Sequence, residues 1–157
     1  MIIQLFEATV YDAESLISIQ EKAFKRLYDI YQDEKSPYLK GTSEFFLWLE
    51  NSDVSIYKIY VDGIMCGGIA VYKRTDNEYY LARIYILPEF QSKGIATIAI
   101  ELCESYFPDA KKWTLDFPAD QIANKKCYEK SGYVDTGKQV IINDRLTLAI
   151  YEKRTEI

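Results

Sequence analysis

The sequence predicts a single α/β domain with a mixed sheet, in the element order β-α-α-β-β-β-α-β-α-β-β. The length of 157 residues is typical of one domain. Apolar side chains recur at helical spacing in four segments, while seven shorter segments alternate or are continuously apolar, as strands are. Turn residues separate these segments, and no linker, repeat or low-complexity stretch divides the chain.

The first half of the chain is predicted to hold a strand, two helices and a three-stranded meander. Ile2–Thr9 is the first strand, and Asp12 caps a long helix that Ser36-Pro37 breaks. Either residue of the Thr42-Ser43 pair caps a second, shorter helix. In the meander, Asp62-Gly63 is a strong hairpin signal, and a second polar turn follows. The three strands of the meander are Ser55–Val61, Ile64–Arg74 and Glu78–Leu87.

The second half is predicted to hold two helices around one strand, followed by a hairpin. Gly94–Phe107 is a helix dense in apolar residues, so we expect it to be buried. Trp113–Phe117 is a strand, and a helix over residues 120–131 ends at Gly132. Two strands joined at Asn143-Asp144 close the chain, Tyr133–Ile142 and Arg145–Tyr151.

The composition excludes several kinds of site. The chain contains no histidine, which removes Ser-His-Asp and Cys-His nucleophiles and every histidine-containing zinc site. Its three cysteines (Cys66, Cys103 and Cys127) are too widely spaced to form a disulfide framework or a metal site alone. With 24 acidic and 19 basic residues, the net charge of −5 argues against nucleic acid as a partner, because phosphates require Lys or Arg.

The sequence also predicts a cytoplasmic protein that makes no membrane contact. Residues 1–14 lack the positively charged start and the long apolar run of a signal peptide. No stretch approaches the roughly 18 apolar residues that a membrane-spanning helix needs. The widely spaced cysteines fit a reducing compartment.

The segment over residues 84–97 carries the clearest sign of a binding site. A strand ends at Pro88, and a run of small residues then opens a helix. The first turn of a helix leaves about four amides unpaired and carries roughly half a positive charge, so it attracts anions. Gly94 and Ala96 give a pyrophosphate access to those amides, and Lys93 adds charge. Taken alone, a Gly-x-Ala sequence is more typical of a strand-to-helix turn in which a glycine allows tight packing.

Two motifs resemble those of the GNAT family of N-acetyltransferases. Gln91-Ser-Lys-Gly94-Ile-Ala96 matches Q/R-x-x-G-x-G/A, the acyl-CoA pyrophosphate loop of that family, and Ile86-Leu-Pro88 matches the V-x-P that precedes it. About 30 residues further on, the run from Asn124 to Tyr133 resembles the family's N-x-x-F-Y-E-K-x-G-F/Y element. The resemblance implies a GNAT-like fold over residues 1–157. This would be one N-acetyltransferase domain with a mixed, mostly antiparallel sheet flanked by helices.

The resemblance assigns acetyl-CoA, as cosubstrate and without a metal, to a V-shaped slot beside the strand that precedes the loop. That strand is expected to splay from its neighbour at a bulge, and the pantetheine arm would pair with the backbone of Ile84 and Ile86. The Ile86 amide would donate to the acetyl carbonyl, whose oxygen gains charge during attack. The pyrophosphate would be held by the loop and the first turn of the helix, namely Gln91, Ser92, Lys93, Gly94, Ile95, Ala96 and Thr97.

The downstream motif implies a general acid. Tyr128 would give a proton to the departing CoA thiolate, because a phenol with a pKa of about 10 is protonated at neutral pH. Asn124, four residues earlier on the same helical face, would bind the pantetheine arm. Many members of the family instead place that asparagine at the position of Gln121. Cys127 has no histidine to activate it, so we interpret it as a small packing residue.

The sequence leaves the general base and the acceptor open. Glu78 at the start of its strand, Asp116 on the following strand and a water-relayed route are all candidates for the base. The resemblance to the GNAT family implies that the first two helices and their connection wall off the acceptor, and the short segment favours a small amine or a peptide terminus. Acids and aromatic rings suit an ammonium group, and this segment contains Tyr28, Asp29, Tyr31, Asp33, Glu34 and Tyr38.

The leading interpretation is an acetyl-CoA-dependent N-acetyltransferase. A primary amine of a small molecule or peptide would attack directly in a ternary complex. A catalytically silent acyl-CoA sensor is the alternative, and the presence of Tyr128 argues against it. A third interpretation is an unrelated α/β binding module in which the loop is only a tight turn. The strands of the final hairpin offer a surface for a homodimer.

Overall fold

The structure, a computed structural model, describes residues 1–155. Seven strands of this part of the chain form one sheet. The strands are β1 (Ile3–Glu7), β2 (Val54–Val61), β3 (Ile64–Lys73), β4 (Glu78–Ile86), β5 (Lys112–Pro118), β6 (Val134–Ile141) and β7 (Thr147–Arg154). They lie in the order β1-β2-β3-β4-β5-β7-β6, in which β4 and β5 are parallel and the other neighbours antiparallel. The predicted fold class, a mixed and mostly antiparallel sheet flanked by helices, is confirmed.

The helices of this part of the chain cover both faces of the sheet: α1 (Ala13–Tyr31), α2 (Pro37–Glu50), α3 (Ile95–Ser105) and α4 (Ile122–Lys130). Leu16 of α1 and Phe45 of α2 pack on one face against Ile56 of β2. On the other face Ile100 of α3 shares a core with Ile59, three residues further along β2. Successive side chains of a strand point to opposite faces, so the apolar alternation of β2 supplies both cores. None of these described helices is long and apolar enough to cross a membrane.

The start of α2 differs from the prediction. Ser36-Pro37 begins this helix, so a cap at Thr42 or Ser43 is wrong. The Ser36 hydroxyl accepts a hydrogen bond of 3.1 Å from the Tyr38 amide. Proline suits the first helical position because the amide that it lacks would be unpaired there in any case. The same two residues therefore interrupt one helix and start the next.

The cap of α1 also differs from the prediction. Asp12 precedes the helix as expected, but its carboxylate bonds to groups outside the helix. It accepts from the Thr9 amide at 2.8 Å and from the Lys58 ammonium at 3.1 Å. Because Lys58 lies in the middle of β2, this contact ties the start of α1 to the sheet.

β4 and β5 separate after a short stretch of pairing. Their register covers three residue pairs, the last of which joins Tyr80 to Thr114. Just beyond, β4 carries one extra residue, Ala82, opposite the junction of Ala70 and Val71 in β3. An extra residue of this kind bends its strand. The bulge thus opens the V-shaped slot that was expected between β4 and β5.

Alternate residues of β4 turn their backbone groups toward this slot. The Leu87 amide donates to the Cys66 carbonyl of β3 at 2.8 Å. Backbone groups of neighbouring residues point to opposite edges of a strand, so those of Ile84 and Ile86 point away from β3. In the described chain no strand pairs with β4 at that edge beyond Tyr80. The end of β4 therefore presents a backbone edge that no neighbouring strand covers.

Candidate active site

The slot opens into a cavity of about 700 Å³. Its walls come from the ends of β4 and β5, the loop before α3, α4, and, on the opposite face of the sheet, α1 and the start of α2. Most of the predicted site residues line it, namely Ile84, Ile86, Gln91, Ser92, Gly94, Ile95, Ala96, Thr97, Asn124 and Tyr128. Lys93 is not a lining residue, and its ammonium lies 5.9 Å from the centre of the Phe90 ring.

The loop before α3 presents unpaired amides to this cavity. Ser92 and Gly94 both have left-handed backbone conformations, with φ of 63° and 80°. The Ile98 amide bonds back to the Gly94 carbonyl at 3.3 Å. Within residues 1–155, no group accepts a hydrogen bond from the amides of residues 92–97. Unpaired amides at the positive end of a helix fit an anion such as a pyrophosphate.

Two contacts define the shape of this loop. Gln91 Nε2 donates to the Ile86 carbonyl at 2.9 Å, which ties the loop to the end of β4. A Cβ on Gly94 would find no atom within 4 Å, so the space beside the amides is free of protein. Gln91 therefore has a structural part in the loop that the motif alone does not reveal.

Tyr128 of α4 lines the cavity and packs on Phe117 of β5, with their ring centres 5.1 Å apart. The side chain is half-buried, and no residue of the described chain hydrogen-bonds its hydroxyl. Burial raises the pKa of this phenol, and the neighbouring Cys127 and Asp116 raise it further. Tyr128 therefore holds its proton at neutral pH, as a general acid must.

The two amide side chains considered for the pantetheine arm differ in what they already bind. Gln121 Nε2 donates to the Tyr31 hydroxyl at 2.8 Å, and its Oε1 accepts from Arg26 at 3.3 Å. Asn124 lines the cavity, and no residue of the described chain bonds its side chain. Asn124 is therefore the amide that is available to a ligand.

Cys127 lies between two helices at the edge of the cavity. Its sulfur is 3.6 Å from the Thr97 hydroxyl oxygen, which links α4 to α3. Burial raises the pKa of the thiol, so it remains un-ionised. An un-ionised thiol is a poor nucleophile, and this environment supports the packing role.

The two carboxylates considered as bases lie in different places. Glu78, at the paired end of β4, is outside the cavity and forms a salt bridge of 3.4 Å with Lys112. Asp116 lines the cavity and accepts a hydrogen bond of 2.8 Å from the Tyr80 hydroxyl. The groups packed around the Asp116 carboxyl keep water from it and so raise its pKa, although the side chain is exposed at the cavity and Tyr80 and Arg74 each act to lower the pKa. A carboxylate so placed is suited to accept a proton in the cavity.

The predicted acceptor wall is formed only in part. Tyr28, Tyr31 and Asp33 line the cavity, whereas Asp29, Glu34 and Tyr38 do not. Asp29 instead pairs with the exposed Lys25 at 2.9 Å. Apolar side chains that the sequence does not mark as site residues complete the wall, among them Phe24, Leu27, Leu146 and Leu148. Their spacing is that of any core residue, so no sequence signal separates them from the core.

Hydrogen bonds of Tyr31 hold the end of α1 beside the cavity. Its buried side chain bonds the Asp120 carboxylate and the Gln121 amide. Its carbonyl accepts a hydrogen bond of 3.0 Å from Asn143. These contacts join the end of α1 to the loop after β5 and to the turn between β6 and β7, so two separate elements hold the wall in place.

Comparison with known proteins identifies the class of protein that this fold and cavity define. Residues 22–133 match the model of the acetyltransferase (GNAT) family. The chain therefore belongs to the GNAT family, and the resemblance seen in its motifs is confirmed. No curated protein matches the chain.

Several solved structures share the fold along nearly the whole chain. A PaiA N-acetyltransferase from Thermoplasma acidophilum, in complex with coenzyme A, is 20% identical with a TM-score of 0.77 and covers 99% of this chain and 100% of its own. A Vibrio cholerae spermidine N-acetyltransferase, in complex with CoA and spermine, is 18% identical with a TM-score of 0.78, and the match covers 97% of this chain and 95% of that protein. The microcin C7 self-immunity acetyltransferase MccE, in complex with acetyl-CoA and AMP, is 19% identical with a TM-score of 0.78. The match covers 98% of this chain and 92% of that protein. At these identities the likeness is one of fold.

Proposed function

We propose that this chain transfers an acetyl group from acetyl-CoA to a primary amine of a small molecule or peptide, by direct attack in a ternary complex. One observation carries the proposal. A single cavity joins the unpaired amides at the start of α3, the edge of β4 that no strand covers and Tyr128. These are the groups that a CoA thioester needs for binding and reaction. Solved structures of the same fold that contain CoA or acetyl-CoA support it.

Three parts of the cavity would hold acetyl-CoA. The amides of residues 92–97 would donate to its pyrophosphate, with the Lys93 ammonium nearby as an added charge. The backbone of Ile84 would pair with the pantetheine arm as an added strand does. The Ile86 carbonyl accepts from Gln91, so Ile86 would contribute its amide alone, to the acetyl group. Asn124 would bond the amide groups of the same arm. When bound, acetyl-CoA supplies an acetyl group activated as a thioester.

The residues of the cavity account for each step of the transfer. The amine nitrogen forms a bond to the carbonyl carbon of the acetyl group, and the bond from that carbon to sulfur breaks. The Ile86 amide donates to the carbonyl oxygen as charge develops there. Tyr128 gives its proton to the sulfur, and Asp116 accepts a proton from the amine. No enzyme nucleophile is required, in agreement with the lack of histidine and the un-ionised Cys127.

Binding of acetyl-CoA followed by turnover tests this function. We expect acetyl-CoA to raise the melting temperature, because a ligand at 100 times its Kd stabilises the folded chain by ~2.7 kcal/mol. Free thiol should then be released only when an amine is present. An unchanged melting temperature would contradict the proposal. A raised melting temperature without thiol release on any amine would favour the acyl-CoA sensor instead.

Replacing Asp116 with Asn is expected to lower kcat/KM about 10²- to 10⁴-fold at neutral pH, because the amide cannot accept the proton. In the unmodified protein, kcat/KM should fall as the pH decreases through the raised pKa of Asp116, since the protonated carboxyl is inactive. That fall should lie above the ordinary carboxyl range of about pH 4. The residual activity of Asp116→Asn should lack this fall in a profile that extends down to about pH 4.

Glu78→Gln is the matched control for this substitution. Glu78 is the other carboxylate considered as the base, but it lies outside the cavity and pairs with Lys112. We expect Glu78→Gln to keep both the rate and the acidic fall. If Glu78→Gln, and not Asp116→Asn, removed the fall, Glu78 would be the base.

A further inference from the structure

Helix α4 adds positive charge to one wall of the cavity. Its nine residues include three lysines and one glutamate, in a chain whose net charge is −5. Lys126 and Lys130 line the cavity, whereas Lys125 does not. Residues four positions apart lie on the same face of a helix, with their Cβ atoms about 5–6 Å from one another. Two neighbouring ammonium groups therefore belong to the same part of the cavity wall.

A contact between α3 and α4 locates these lysines relative to the proposed pyrophosphate site. The Cys127 sulfur lies 3.6 Å from the hydroxyl oxygen of Thr97, which is in the first turn of α3. Lys126 precedes Cys127 in the chain, and Lys130 follows it by less than one helical turn. Burial raises the pKa of the Cys127 thiol, while Thr97 and the nearby Lys130 charge each act to lower it. Both lysines therefore lie on the side of the cavity where the amides of residues 92–97 are unpaired.

Neither lysine is neutralised by another residue of the described chain. Within residues 1–155, no carboxylate forms a salt bridge with Lys126 or Lys130, and no group accepts a hydrogen bond from either ammonium. Like charges four residues apart destabilise a helix. An anion bound beside the two ammonium groups would remove that cost, so the pair is suited to a ligand that carries negative charge.

The pyrophosphate of CoA already has its donors in the loop before α3. The amides of residues 92–97 face it, and Lys93 adds charge nearby. CoA carries one further phosphate, a monoester at the 3′ position of the adenosine ribose, which is joined to the pyrophosphate through that ribose. A phosphate monoester carries a charge of about −1.5 to −2 at neutral pH. This charge matches two ammonium groups beside the pyrophosphate site.

We propose that Lys126 and Lys130 bind the 3′-phosphate of CoA and make the chain selective for a thioester donor that carries this group, an inference that rests on the proposed function. A lysine ammonium pairs with phosphate as a point charge, which suits a flexible side chain at the mouth of a cavity. A thioester of dephospho-CoA, or of the phosphopantetheine arm of a carrier protein, lacks the 3′-phosphate and loses both ion pairs. The donor is thus a free CoA thioester.

Direct titration with CoA and with 3′-dephospho-CoA tests the inference without an amine. The two ligands differ only in this phosphate, so we expect CoA to bind about tenfold more tightly at about 50 mM salt. The preference should decrease at about 500 mM salt, because both ammonium groups are exposed. Equal affinities at the lower salt concentration would overturn the inference and leave the proposed function intact. Failure of both ligands and of acetyl-CoA to bind would overturn the proposed function as well.

Substitution of both lysines locates the preference on α4. Lys126→Gln combined with Lys130→Gln should weaken CoA binding about tenfold and leave the affinity for dephospho-CoA unchanged, so that the preference disappears. Replacing both lysines with Arg should retain the preference, because a guanidinium also pairs with phosphate. Lys125→Gln is the matched control, since Lys125 is exposed on the same helix but outside the cavity, and it should change neither affinity.

Two results with the double Gln variant would contradict the assignment. An equal loss of affinity for CoA and for dephospho-CoA would mean that the lysines act on the pyrophosphate, which both ligands contain. A preference for CoA that persists in this variant would place the 3′-phosphate beside other residues. Either result would overturn the inference, and neither would affect the proposed function, since acetyl-CoA would still bind.

Discussion

Replacing Tyr128 with Phe is expected to lower kcat about 10²- to 10⁴-fold, the usual contribution of a general acid. The Kd for acetyl-CoA should change little, because Phe keeps the ring contact with Phe117, whose centre is 5.1 Å away. Steady-state kinetics and a direct titration with acetyl-CoA measure the two effects separately. Tyr106→Phe is the matched control, since Tyr106 is exposed and outside the cavity, and its kcat should not change.

The pH dependence gives this prediction a second measurement. Burial raises the pKa of Tyr128 above its ordinary value, which is about 10. The phenol therefore holds its proton, and kcat of the unmodified protein should show no loss of this acid between about pH 7 and about pH 10. A decline in that range that disappears in Tyr128→Phe would contradict the raised pKa. An unchanged kcat in Tyr128→Phe would assign the acid to another group.

The fold could be predicted from the sequence because its signals are local. The apolar side chains of β2 alternate so that both faces of the strand are apolar, which indicates that both faces are buried. The structure accordingly places Ile56 and Ile59 in separate cores. Asp62-Gly63 predicts a hairpin, and both residues have positive φ, 49° and 84°, as that turn requires. The start of α2 was predicted wrongly because Ser36-Pro37 suits both the end of a helix and the beginning of one.

The phosphate loop of the candidate site was predictable for the same reason. The amides around Gly94 belong to one short segment, so the spacing of residues within that segment is enough to predict an anion site. The placement of Asp116, the proposed base, was not predictable, because it depends on strand register. Pairing of Tyr80 with Thr114 brings the Tyr80 hydroxyl within 2.8 Å of Asp116, a residue 36 positions away in the chain.

The acceptor wall shows the same dependence on long-range contacts. Tyr31 bonds Asp120 across 89 positions of sequence, and this contact places α1 over the cavity. Acidic residues near the end of α1 suggest an acidic wall, yet Asp29 points to solvent and pairs with Lys25. Residue type alone does not show which side of a helix faces a cavity; Asp29 belongs to the charged face of the amphipathic helix α1, with Lys22 and Lys25.

Replacing Gly94 with Glu is expected to weaken acetyl-CoA binding at least about 100-fold, with both bulk and charge as causes. A Cβ on Gly94 meets no protein atom within 4 Å, so the new side chain extends into the space beside the unpaired amides. A carboxylate about 4 Å from a phosphate charge costs ~4 kcal/mol at an effective dielectric constant of about 20. Isothermal titration with acetyl-CoA measures the loss.

Backbone strain must be separated from this effect, because Gly94 has φ of 80°. Gly137 is the matched control, since its φ is 79° and a Cβ there also meets nothing within 4 Å, but it lies in β6 away from the cavity. Gly137→Glu carries the same strain and the same charge, so it should bind acetyl-CoA normally. Gly94→Ala carries the strain alone and should bind more tightly than Gly94→Glu. Retained affinity in Gly94→Glu would place the pyrophosphate elsewhere, because no anion could share that space with a carboxylate.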